Sequence, residues 1–417
     1  MEIQERVVAT AAELVAASKD ADVQKITVRG NLTGAPTVRL APGQTLSGAD
    51  AQAAIVFAGG DGLQLSSDNL VRSISLHTKP EKRAIFNDTS VSSLGRMQLA
   101  GVTTTGQVQI LARDKVRSGH VEVDGLDVTA ADARAQTDRP QGYGVHVLQG
   151  AFTLWNMQAD AGVTISARLV GLNAGRAVSP VRGSGIFVSG AGFEGGRLSV
   201  SLLETGAIYS DGGIAPGTPD AITGGVFTVF NAFVDVVRNR GPVTTYGVND
   251  MVLDNWGSVD RWIAEGKITS YGPSGIGFVN FGTVNELEMQ APIETFGQGA
   301  RAFNVYTGTV NRGIFDRITT HADGAVGIQI SQPIGTLEVR RGIETFGGTG
   351  DSLVKGVVVS LSAIGLSLKP GSSARAIDIK GGVTTHGKGI SPLELEGSIG
   401  KLSIDGGVTA AGPLKTS

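Results

Sequence analysis

Between Val243 and Gly347 apolar and polar positions recur in a fixed phrase. It reads apolar, any residue, Thr or Ser, then an aromatic ring or His, starting at Val243, Ile268, Ile293, Ile318 and Ile343, each 25 residues after the last. The phrase returns at Val383, 40 residues on, and a worn copy starts at Val408. A repeat of a few tens of residues means stacked supersecondary units rather than one globular knot.

Because side chains alternate along a strand, the repeat sorts residues into columns. In the first strand Val243, Ile268, Ile293, Ile318 and Ile343 point inward with Thr245, Ser270, Thr295, Thr320 and Thr345. The rings Tyr246, Tyr271, Phe296, His321 and Phe346 form an outward ladder at the spacing of neighbouring strands. A second strand buries Leu253, Phe278, Phe303 and Ile328, with Asn255 and Asn280 placed to bond up the stack. Its outward columns are Asp254, Val279, Asn304 and Gln329, then Trp256, Phe281, Tyr306 and Ser331. A third strand buries Trp262, Leu287 and Leu337, with Ala264, Met289, Ile314 and Val339 beside them, and Arg312 interrupts its first column. The expected fold is all-β: a right-handed parallel β-helix of about 25 residues and three strands per coil.

Upstream, residues 5–18 carry Val7, Val8, Ala11, Leu14 and Val15 on one helical stripe. This predicts an amphipathic helix covering the open end of the solenoid. From Lys25 short alternating runs take over, irregular between about 95 and 240. The chain is expected to divide into a cap and lead-in (1–24), one β-helix (25–411) and a tail (412–417). Insertions near 130–142, 209–225 and 351–375 break the spacing and are expected to project as loops, where specificity usually sits. The capping helix, the phrase APGQTLSGAD (Ala41 to Asp50) and the following GGDGLQLSSDN (Gly59 to Asn69) resemble right-handed parallel β-helix proteins of the pectate-lyase-like superfamily. That resemblance implies the fold over Lys25 to Ala411. It leaves the activity open, since the superfamily mixes lyases, hydrolases, epimerases and inert scaffolds.

Composition narrows the chemistry. The chain of 417 residues has 61 Gly and no Cys, so disulfides, thiolate nucleophiles and Cys-bound zinc are excluded. A net charge of −3 with scattered Lys and Arg gives no footprint for nucleic acid or an acidic membrane. No apolar run is long enough to span a bilayer. The N-terminal stretch is charged from Glu2 and lacks a continuous apolar region, so a cytoplasmic protein is expected, or a secreted one if a signal segment has been removed. No cofactor and no metal site are expected. Nucleophile elbows, Walker loops, zinc-helix and EF-hand motifs are absent from the sequence. The aspartate-rich motifs of β-helix polygalacturonases are missing too, and Arg176 to Arg182 has the wrong spacing for the arginine pattern of calcium pectate lyases.

What remains is a face where outward rings meet outward polar groups, the pairing that sugar rings and hydroxyls require. Asp254, Glu294, Arg301 and His321 are the candidate catalytic residues; Tyr246, Trp256, Tyr271, Phe281, Asn304, Tyr306 and Gln329 are the candidate substrate contacts. Paired carboxylates would serve hydrolysis, and a base with cationic donors would serve elimination from a uronate. The plain alternative for the rings is stacking between coils, with His321 and His386 as rungs. His146, Asn249 and Asp250 are weaker candidates, the last two as turn formers. Two functions compete: a lyase, hydrolase or epimerase acting on an oligosaccharide or polysaccharide, and a non-catalytic, adhesin-like scaffold, monomeric or trimeric through its side.

Overall fold

The computed structural model describes residues 4–354 and 356–412, so nearly all of the expected tail, residues 413–417, lies outside the described residues. Nearly all ordered segments are β-strands, and nearly all pair in parallel within two long sheets, as in a β-solenoid. The chain divides into two compact units.

The first unit comprises Met1–Thr137, Gln149–Ala207 and Phe230–Phe233. Its helix spans Ala11–Lys19, shorter than the stripe predicts. Thr10 Oγ1 accepts from Glu13 N at 3.2 Å and Glu13 Oε2 accepts from Thr10 N at 3.1 Å, a capping box that fixes the helix start. Val7 and Val8 therefore lie outside it, in a strand Gln4–Val8 that pairs in parallel with Val23–Val28. β-branched neighbours favour that extended state. Leu14 and Ala17 are buried, and below them Gln44 Nε2 donates to Val23 O at 2.9 Å and Asp20 O at 3.1 Å. Asn69 Nδ2 reaches Ala41 O at 2.8 Å. The polar residues of the two motif phrases thus satisfy buried backbone at turns. Onward, Val71, Leu99, Val123 and Leu169 stand in register across four long strands at uneven spacing in sequence.

The second unit comprises Asp138–Leu148, Ile208–Val229 and Val234–Ser417. Here the repeat becomes strand register: Val243, Ile268, Ile293, Ile318, Ile343, Val383 and Val408 pair in succession. All but Val408 are buried, as are the Thr and Ser two positions later from Thr245 to Thr385. The asparagine stack also forms, with Asn255 Nδ2 donating to Asn280 Oδ1 at 2.9 Å. In the third strand one assignment changes. Thr283 pairs with Thr309, one residue beyond the regular spacing, because the preceding turn takes an extra residue at Gly308, φ +65°. The inward column is therefore Trp262, Leu287, Gly313 and Leu337. Phe315 rather than Ile314 stands beside Met289, and Arg312 points outward, 3.8 Å from Glu286.

Candidate functional site

The second strand of these coils (Asp250–Asn255, Ile276–Asn280, Arg301–Val305, Val326–Ile330) does not alternate strictly. A Cβ at Gly277 would sit 2.4 Å from Ile293 Cγ2, and one at Gly327 would sit 2.7 Å from Ile343 Cγ2, so both positions face the core. Phe278, the next residue, is also inward, edge-on to Trp262 at 5.0 Å. Two successive inward residues bend the strand. The bend turns the preceding column, Met251, Ile276 and Arg301, to the outside, on the face that carries Asp254, Val279, Asn304 and Gln329.

That face was expected to be open to solvent, and it is covered: Asp254, Val279 and Asn304 have no exposed surface and Gln329 has 7%. The spacing-breaking insertions supply the cover. Gln141–Gly142 and Val145–Val147 form a small antiparallel hairpin. At its tip Tyr143, in the left-handed region at φ 52°, stacks on Phe281 with ring centroids 4.5 Å apart and meets Trp256 edge-on at 5.1 Å. A second cover comes from Thr218 and Pro219: Thr218 O accepts from Asn249 Nδ2 at 3.4 Å, and Pro219 lines the space left between the covers. The third is an antiparallel hairpin, Thr349–Val354 with Val357–Ser362. Together they leave a cavity of about 40 Å³ bounded by Tyr143, Ile222, Met251, Asp254, Tyr306 and Leu353, among others. That is room for a water or two and not for a sugar ring.

Neither oxygen of Asp254 makes a hydrogen bond of good geometry. Burial pushes its carboxyl well above the usual carboxylate range, opposed by the nearby Trp256 indole N–H. Burial therefore favours the protonated form of Asp254 more than water would. The Tyr143 phenol is raised by burial, against a hydrogen bond with Thr307 and with the Asp254 charge adding to the rise. Asp250, on the same strand, accepts from Gly247 N at 2.7 Å and Gly212 N at 3.1 Å and from the Thr223 hydroxyl. Burial still lifts it to about 6. It ties turns together, as expected, with Asn249 beside it at φ 56°.

Arg301 is fully buried. Its Nη2 donates to Ser352 Oγ at 3.0 Å, and that hydroxyl donates to Gly299 O at 2.7 Å. Its Nε and Nη1, both amide atoms of Asn304 and Oε1 of Gln329 have no hydrogen-bond partner among the described residues.

Glu294 and His321 lie elsewhere. They belong to the other sheet, beside the ladder Tyr246, Tyr271, Phe296, His321, Phe346 and His386. Centroids along it are 4.3–5.4 Å apart with planes within 14°. His321 Nε2 is 2.8 Å from Glu294 Oε1, and Lys267 pairs with the other oxygen. Burial pushes Glu294 up, but Lys267 and His321 outweigh it and hold it below its ordinary value. His386 repeats the contact with Glu344 at 2.9 Å. Ring faces in such a column are taken by neighbouring rungs, so Tyr246 and Tyr271 offer a sugar mainly their edges. His146 is 3.2 Å from Arg139 Nη1 and 3.9 Å from Asp220.

No protein-family model matches this chain, and no curated protein or solved structure is significantly similar to it. Its chemistry follows from the covered face: among the described residues, a buried carboxyl, the Asn304 amide, Gln329 Oε1 and two of the three Arg301 nitrogens lack hydrogen-bond partners, beside the aromatic column Trp256, Phe281 and Tyr306. Tyr143, Ile222, Ser352 and Leu353 are the contributors that residue-by-residue reading missed. Their signal was the broken spacing around them.

Proposed function

We propose that the covered face of the coils at 243–331 binds a carbohydrate, an oligosaccharide or the end of a polysaccharide. The observation that carries this reading is the alignment of buried Asp254, Asn304 and Gln329 beside a column of rings, with the Asn304 amide and Gln329 Oε1 lacking hydrogen-bond partners among the described residues. Unpaired buried polar groups are costly, and a polyhydroxylated ligand matches them one hydroxyl at a time. Entry of a whole ring requires the covering segments to move, because the space they leave, about 40 Å³, is too small for it. Asp254 is the group equipped to donate a proton. A hydrolytic pair is not supported: Asp250 lies four residues along the strand, about 13 Å away in extended backbone, beyond the separation that glycosidase carboxylates keep. The architecture that goes with this reading is a right-handed helix of about 25 residues and three strands per turn, related to the pectate-lyase-like proteins.

Thermal shift and calorimetry against neutral and acidic oligosaccharides test it. Binding that falls more than about tenfold in Asn304→Ala and Gln329→Ala together supports the site. Binding unaffected by both, or absent across the panel, removes it. The scaffold reading is favoured by one observation, the ring ladder with its faces already occupied. It predicts no binding across the panel.

A further inference from the structure

We propose that Arg301 is the floor of an anion-binding site roofed by the paired strands Thr349–Val354 and Val357–Ser362, built for a carboxylate or phosphate group of a small ligand. The proposal stands on this arginine and its roof, and not on the carbohydrate reading.

The guanidinium is always charged, and here it has no solvent exposure. None of the described carboxylates forms an ion pair with it. Among the described residues its one hydrogen bond goes to a neutral hydroxyl, Ser352 Oγ at 3.0 Å, while Nε and Nη1 have no acceptor. A face of Tyr306 lies 5.9 Å from the guanidinium carbon, a contact weaker than an ion pair. A buried charge without a counter-charge is among the most unfavourable arrangements a fold can hold, and an incoming anion relieves it. The bend at Ala302 and Phe303 places Asn304 as the next outward residue, and its amide N–H group, also unmatched, is a second donor. The donor set of a fixed cation plus a neutral amide suits an oxyanion.

The roof is separable from the coils. The hairpin strands pair with each other in a two-stranded sheet of their own. Beyond Arg301, the hairpin is held by Ser352 on Gly299 O, by Leu353 N donating to Ser274 Oγ at 2.9 Å, and by Gln298 Nε2 reaching Asp351 O at 3.4 Å. Among the described residues, lifting it breaks these side-chain hydrogen bonds and its packing on Gly299 and Gly324, and no rung of the parallel ladders. Its far strand exposes Val357 and Val358 by 62% and 65%, so that strand is not packed into the core.

The test is the melting temperature of the full chain in sodium acetate and in sodium phosphate, each against sodium chloride at equal ionic strength, with calorimetry on the same salts. A rise specific to acetate or to phosphate is expected, and which salt acts distinguishes a carboxylate site from a phosphate site. Arg301→Met should abolish the rise and, in chloride, melt no lower than the wild type, because it removes an unpaired charge. Arg301→Lys, which keeps the charge and loses the planar fork, should keep a smaller rise. Three results overturn the proposal: no anion-specific rise, a rise that survives in Arg301→Met, or an Arg301→Met protein that melts well below wild type in chloride. Because the probes carry no sugar, the site can stand while the carbohydrate reading fails, and the reverse.

Discussion

Asp254 shows how one residue's environment sets its chemistry. An aspartate in water ionises near 3.8, but burial raises this one well above that value. Between those limits the native state binds a proton that the unfolded chain has released. Stability therefore falls as pH rises through that window. Asp250, raised to about 6, acts in the same sense from about pH 4 to 6. His77, lowered by burial, opposes them below 6.5. Carboxylates held low, such as Glu294 and Asp132, act only below their ordinary values of 4.5 and 3.8. Asp254→Asn isolates one contribution. Its stability relative to wild type should climb with pH above 4, by about 1.4 kcal/mol per unit until the native carboxyl ionises. Urea unfolding of both proteins at pH 5 and pH 8 measures it, and equal differences at the two values would contradict a buried neutral acid.

At the scale of elements, the bend in the second strand is what gathers the site, and it has a direct test. Gly277→Ala adds a Cβ 2.4 Å from Ile293 Cγ2 and 2.6 Å from the Ala302 carbonyl oxygen. Backbone cannot yield as a side-chain tip can, so a loss of about 1–3 kcal/mol is expected in chemical denaturation. An unchanged midpoint would mean that this position does not face the core. The Tyr143 hairpin predicts differently. Tyr143→Ala removes a ring that stacks on Phe281 and edges onto Trp256. It should cost about 1–3 kcal/mol while raising acrylamide quenching of tryptophan fluorescence, since Trp256 is 4% exposed only under that cover. Some of this site was legible beforehand. The columns of Asp254, Asn304 and Gln329 followed from period-two alternation, and the aromatic column from the coil spacing. The outward turn of Arg301 did not, because a bend reverses parity without any change in spacing. Splitting Asp254 and Arg301 from Glu294 and His321 required knowing which sheet each strand joins.

Across the molecule, protection should follow the ladders. Strands such as Ile268–Ser270 and Ile293–Thr295 are paired on both sides and buried. Leu393–Leu395, Ser398–Ile404 and Val408–Ala410 pair on one side only among the described residues, and none of their residues is buried. A stacked fold is held by nearest neighbours, so amides of the last three should exchange with deuterium fastest among the coil strands of this unit. Uniform protection from residue 243 to residue 410 would contradict that stacking picture.

The sequence by itself determined the parallel all-β stack, because strand alternation and a fixed spacing are local rules that each coil repeats. It determined the register of Val243, Ile268, Ile293, Ile318 and Ile343 for the same reason, and the presence of an N-terminal helix, though the structure confines that helix to Ala11–Lys19. Only the tertiary structure decided what those coils carry. Insertions have no period, so their sequence could not say that Tyr143, Ser352 and Leu353 fold back over the outward face. By doing so they turn solvated polar columns into buried, unmatched ones. Burial, which no single residue encodes, makes Asp254 an acid and leaves Arg301 in need of an anion.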